Sequence, residues 1–309
     1  MRLSRVIARA TVMAAAIEGF ATAFTIQNPA SSKVVIPTLS PIHHSFSSSI
    51  YRQTRSKELR TRIYVQVEES QEIDASVEVG NDELIDVEIN SDPTLNVKTT
   101  ATLIAGQSVM IGVAVLASQI LNVPNFGLGP DFLLSNDSIQ AGFLATLPLF
   151  ALAAILDVVE KYVPALEDVS KATQRSVLAL MGGERQLGAA IVIALALGAA
   201  AGIGEEMLFR GVLQSELSNN MGELLALGSS AVIFGALHAV TPLYAFLAGL
   251  ASLYFGELYI QYHNLAVPIV CHGIYDVGAL VAAHWQVSGM SKEERIALAN
   301  WNPPVKTDF

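Results

Sequence analysis

Three polar motifs interrupt otherwise apolar stretches, and each spans one helical turn: Glu205-Glu206-x-x-x-Arg210, Phe234-x-x-x-His238 and His272-x-x-x-Asp276. The run 187–204 before the first motif carries no charge. A charged side chain at membrane depth costs roughly 2.5–3.5 kcal/mol on insertion scales, so such residues usually mark a functional site. On a helix, Glu206 and Arg210 are spaced i,i+4 with the acid N-terminal, the favourable order for an ion pair. Glu205 lies about 100° away around the helix, on a face that Arg210 does not neutralise. One glutamate is therefore paired and the other is left to act as a general base on water. Phe234 fixes packing while His238 offers a ring nitrogen. His272 and Asp276 share a face, where such a pair can hold a metal, orient an imidazole or stabilise an oxyanion.

The elements that must position these groups are membrane helices. The chain has 309 residues, is 52% hydrophobic and only 15% charged, with a mean hydropathy of +0.46. A soluble chain would carry about a quarter charged residues. Apolar windows at 101–121, 141–159, 187–204, 224–240, 243–260 and 265–284 approach the roughly 20 residues that span a hydrocarbon core. They lack period-two alternation, so the expected fold class is all-α, a transmembrane helical bundle of about six spans. Pro124, Gly127, Gly129 and Pro130 mark a turn-rich loop after the first span. Residues 163–181 read as an amphipathic helix at the interface, and the polar tail 287–309 with Pro303-Pro304 is expected to leave the bundle.

The N-terminal third reads differently. Residues 1–24 resemble a signal segment, with Arg2, Arg5 and Arg9 before a short apolar stretch and Ala21-Thr22-Ala23 at its end. Residues 25–62 are basic and serine-rich, like a transit peptide. The junction Ala21-Thr22-Ala23-Phe24 resembles the alanine-phenylalanine signature of bipartite plastid targeting in diatoms and related algae. That resemblance implies a plastid membrane, thylakoid or envelope; the endoplasmic reticulum is the alternative. Residues 63–100 form an acidic linker, with ten acids from Glu68 to Asp92 accounting for the net charge of −10. Alternation over 77–89 could support a marginal hairpin. The chain thus divides into 1–24, 25–62, 63–100, a first membrane part 101–186, a motif-bearing part 187–286 and the tail. No basic patch for nucleic acid is present, and the single Cys271 excludes a disulfide framework or a cysteine-based zinc site.

The three motifs, in this order, resemble those of the CAAX protease and bacteriocin-processing family of intramembrane endopeptidases. The resemblance covers about 187–285, including Gly249 and Leu265-Ala266-Val267-Pro268-Ile269. It implies a hydrolase acting on a membrane-associated peptide or protein within the lipid bilayer. Glu205 would be the base, His238 its partner, His272 and Asp276 the oxyanion side, and Glu206, Arg210 and Phe234 the support. The last position is often Asn in prenyl-protein proteases; Asp276 is a poorer oxyanion donor unless protonated, though it could orient His272 or bind a metal. Zn²⁺ is the cofactor to consider, with Glu205, His238 and His272 as candidate ligands, although no H-E-x-x-H helix occurs. Two other readings compete with proteolysis. One is a scaffold or chaperone that keeps these residues structurally, and the other is a small transporter. Outside the motifs, His284 beside Trp285 reads as an interfacial anchor, Cys271 as a small buried hydrophobe, and His263 as water-facing. Glu257 could face either the cavity or the interface.

Overall fold

The computed structural model describes residues 93–303. The segments 1–24 and 25–62, the linker up to residue 92 with its alternating stretch, and residues 304–309 lie outside them. Within 93–303 every regular element is helical.

Local chemistry sets the helix starts. The Asn96 side chain accepts from Thr99 N–H at 3.1 Å and opens α1, Val97–Leu121, so the first helix begins four residues before the expected span. Asn122, in the left-handed region at φ 60°, ends it. The expected loop follows, with Gly127 and Gly129 both at positive φ. A capping box of Ser135 and Ser138 starts α2, Asn136–Glu160. Pro164 at the first turn starts α3, Pro164–Met181. The next helix runs from Leu187 to Met221 in three parts: α4, Leu187–Glu206, a π-helical segment, Met207–Gln214, and α5, Ser215–Met221. Then come α6, Glu223–Leu237, α7, Pro242–Tyr262, α8, Ala266–Val287, and α9, Lys292–Ala299.

Among the described residues five helices are long and apolar enough to cross a membrane, and the chain is an integral membrane protein. Along α2, Phe143, Leu144, Leu147, Ile155 and Val158 are all exposed. Such a band would be an aggregation liability in water and is the ordinary lipid-facing surface of a span. The sixth expected span, 224–240, is shorter than the sequence implies. Pro242 holds Thr241 extended, at φ −129° and ψ 160°, and α6 stops at Leu237. Its 15 residues rise about 22 Å at 1.5 Å each, less than the ~30 Å hydrocarbon thickness. His238 is the residue that closes α6.

Two other expectations need correction. The tail does not leave the bundle at residue 287. Ser291 and Glu294 form a capping box that starts α9, and Leu298 packs with Leu178 and Val287. The Ser291 N–H donates to Glu294 at 2.7 Å and holds that carboxyl below its usual range. His284 is no anchor either, since it is 1% exposed with neither ring nitrogen hydrogen-bonded. Its neighbour Trp285 is the exposed one, with the Arg185 guanidinium 4.1 Å from its ring. Cys271 is buried, and His263 and Glu257 are exposed, which takes Glu257 out of the cavity.

The α4–α8 crossing positions the motifs. A Cβ on Gly198 would lie 2.7 Å from Gly273 O, and one on Gly202 would lie 2.9 Å from Ile269 O. Small residues let the two backbones approach, and the following turn of α4 brings Glu206 to His272, which lies in the Ile269–Gly273 turn of α8.

Candidate active site

The acidic pair lies where α4 passes into the π-helical segment. Ser215 N–H reaches back five residues to Arg210 O, and all eight residues of the wide turn are buried. Single π-turns inside α-helices frequently occur at functional sites. Gly211 is required there because a Cβ would come within 1.7 Å of Gly127 O.

Glu206 and Arg210 form the expected ion pair, Nη1 to Oε1 at 3.0 Å, with both side chains fully buried. The guanidinium also donates to Ser252 O and Ser252 Oγ on α7, each at 2.8 Å. The rings of Phe234 and Phe255 lie 5.2 and 5.5 Å from it. Glu206 Oε1 is shared, because His272 Nδ1 approaches it at 2.8 Å. A carboxylate paired to arginine only accepts, so Nδ1 carries the proton of that bond. The other nitrogen, Nε2, lies 3.5 Å from Asp276 Oδ2. Phe255 stacks on the imidazole at 4.6 Å.

Glu205 faces the other way. Its Oε1 accepts from Gln107 Nε2 on α1 at 2.6 Å, and its Oε2 lies 3.8 Å from His238 Nε2. His238 Nδ1 is 2.8 Å from Phe234 O. A carbonyl can only accept, so that bond places the proton on Nδ1 and leaves Nε2 with a lone pair. Phe234 stacks on the same ring at 4.2 Å and fixes its plane. Two acceptors thus face each other across a gap too long for a direct bond. The Glu205 side chain is 5% exposed and that of His238 12%, while Asp276 at 29% is the open edge of the cluster.

The structure therefore brings Glu205, Glu206, Arg210, Phe234, His238, His272 and Asp276 into one cluster. It also adds Gln107, Ser252 and Phe255. Gln107 had a signal, being an amide inside the apolar run 101–121. Ser252 and Phe255 had none, since a serine and a phenylalanine are unremarkable in a span.

The donor set does not fit a zinc ion held by Glu205, His238 and His272. Both nitrogens of His272 face carboxylates, Glu206 and Asp276, which leaves none for a shared metal. Among the described residues no three His, Cys, Asp or Glu side chains are grouped to hold one.

Residues 187–278 match the family model described as Rce1-like, type II CAAX prenyl endopeptidase. This is the family that the three motifs resemble. The matched stretch starts with α4, contains all three motifs and leaves α1, α2, α3 and α9 outside it. No curated protein and no solved structure matches the chain.

Proposed function

We propose that this chain, which carries an Rce1-like type II CAAX prenyl endopeptidase segment at residues 187–278, is an intramembrane endopeptidase that cleaves with a water activated by Glu205 and His238. The observation that carries the reading is the 3.8 Å gap between Glu205 Oε2 and His238 Nε2. A water at a hydrogen-bond length of about 2.8 Å from both would subtend roughly 85°. It would give one hydrogen to each acceptor, leaving a lone pair directed out of the gap. That is the arrangement a nucleophile needs.

The steps follow from these groups. The water oxygen attacks the scissile carbonyl carbon as Glu205 takes its proton. The tetrahedral oxyanion forms on the open side toward His272; with Nδ1–H given to Glu206, the ring donates from Nε2 only as an imidazolium, and that Nε2–H, 3.5 Å from Asp276, is shared between Asp276 and the oxyanion. Collapse breaks the C–N bond, and the proton held by Glu205 passes to the leaving amine. Glu206 and Arg210 do not touch the substrate; they hold His272.

The substrate is a membrane-associated peptide or protein. A chain directed by residues 1–62 to a plastid membrane, thylakoid or envelope, would act on a membrane peptide without a prenyl group. In the endoplasmic reticulum a prenylated C-terminus is the natural substrate. The test compares protein termini by mass spectrometry in cells lacking this protein, rescued with wild type or Glu205→Gln. New termini that appear with wild type and vanish with the variant support the reading and identify the substrate. Identical termini with equal rescue would make the motif residues those of a scaffold. In a reconstituted assay Glu205→Gln lowers kcat by roughly 10²–10⁴-fold, the share of a general base.

A further inference from the structure

We infer that Gln107, on α1 and outside the family-matched segment, is the positioning residue for Glu205. The inference rests on the reading of Glu205 as the base. Rotation about the last side-chain torsion of a glutamate is broad and roughly two-fold, so an untethered carboxylate does not hold one oxygen on a target. Gln107 Nε2 donates to Oε1 at 2.6 Å in a buried position. Fixing Oε1 fixes the carboxylate plane and directs Oε2 toward His238 Nε2, 3.8 Å away. A carboxylate cannot supply a hydrogen, so the amide is the donor.

The backbone is built for this contact. A Cβ on Gly204 would lie 2.9 Å from Met110 Cβ and 3.2 Å from Ile111 N. The glycine next to Glu205 thus lets α4 close on α1, one turn from Gln107. Glu206, the other acid of the pair, is held from α7 and α8 by Ser252 through Arg210, and by His272. The two neighbouring carboxylates are thus oriented by different helices, and only one of those helices falls outside 187–278.

The experiment uses the full chain reconstituted in liposomes. Gln107→Met keeps the length of the side chain and removes the donor, and Gln107→Glu keeps the shape but sets a second carboxyl against Glu205, so that the two share a proton and Glu205 is lost as a free base. The probe is a quenched fluorescent peptide ending in a farnesylated C-a-a-X sequence. We expect both variants to lower kcat roughly 10- to 100-fold, the range for losing one hydrogen bond to an ionised group. KM stays within about twofold, and the fall in kcat exceeds what the lowered folded fraction of Gln107→Met accounts for, because a tether on the base acts on the chemical step as well as on stability. Wild-type kcat in Gln107→Met would overturn the inference, as would a loss that only follows a lowered folded fraction. If wild type leaves the probe uncut, the protease reading is what fails on that substrate. The unfolding midpoints of Gln107→Met, Glu205→Gln and the double variant then decide. Non-additive shifts retain the Gln107–Glu205 tether, and additive shifts remove it.

Discussion

Replacing Arg210 with methionine should unfold the protein more readily than any single change at the water-facing residues. The guanidinium and the Glu206 carboxylate are both fully buried and 3.0 Å apart. At an effective dielectric of about 20, two unit charges at that distance attract by about 5 kcal/mol. The variant forfeits that attraction and leaves Glu206 with His272 as its remaining hydrogen-bond partner. Breaking one side of a buried pair costs about 3–5 kcal/mol, since a charge is left without compensation. The same loss does not follow when both charges go. In Glu206→Gln/Arg210→Met the amide still meets His272, and the missing donors to Ser252 O and Ser252 Oγ cost on the order of 0.6 kcal/mol each inside a membrane protein. The double variant should therefore lie only about 1–2 kcal/mol below wild type, with a coupling of roughly 2–4 kcal/mol. Denaturant titration in mixed micelles measures this, with fluorescence from Trp285 and Trp301, the two tryptophans of the chain. If Arg210→Met costs under about 1 kcal/mol, or the double variant loses the sum of the two single losses, the pair does not carry the stability argued for it.

Two further outcomes bear on the chemistry. Chelation with 1,10-phenanthroline should leave cleavage unchanged, because His272 is committed to two carboxylates; loss of activity restored by Zn²⁺ would refute that account of the donor set. Asp276→Asn should keep kcat within about tenfold of wild type, as an amide still orients His272 and can itself donate to an oxyanion; a loss as deep as that of Glu205→Gln would give Asp276 a role beyond orientation.

Much of the bundle was legible because lipid imposes a coarse code. Long apolar runs without period-two alternation must be helices, and the five long ones lie where those runs lie. The ion pair was legible as well, since i,i+4 spacing on a helix fixes adjacency, and it survives the change to a π-turn. Three things were not. The stop of α6 depends on Pro242 acting on Thr241, which hydropathy averaging over 224–240 conceals. The return of α9 depends on Leu298 and Ala299, at the end of a helix whose first four residues are charged, finding Leu178 and Val287. The partners from α1 and α7 are set by tertiary packing: Gln107 and Ser252 are 98 and 42 residues from the groups they bind, and no local pattern encodes that distance.

The two adjacent glutamates can differ in role because a helix separates consecutive side chains by about 100°. One face of the α4 terminus looks toward α7 and α8, where every group that meets Glu206 is a fixed protein donor. The other looks toward α1 and the end of α6, where Glu205 has one donor and an open gap. The truncated α6 and the wide turn after Glu206 are thus complementary. One ends α6 with an imidazole 3.8 Å from Glu205, and the other fits a buried arginine close enough to neutralise one carboxylate while leaving its neighbour available to water.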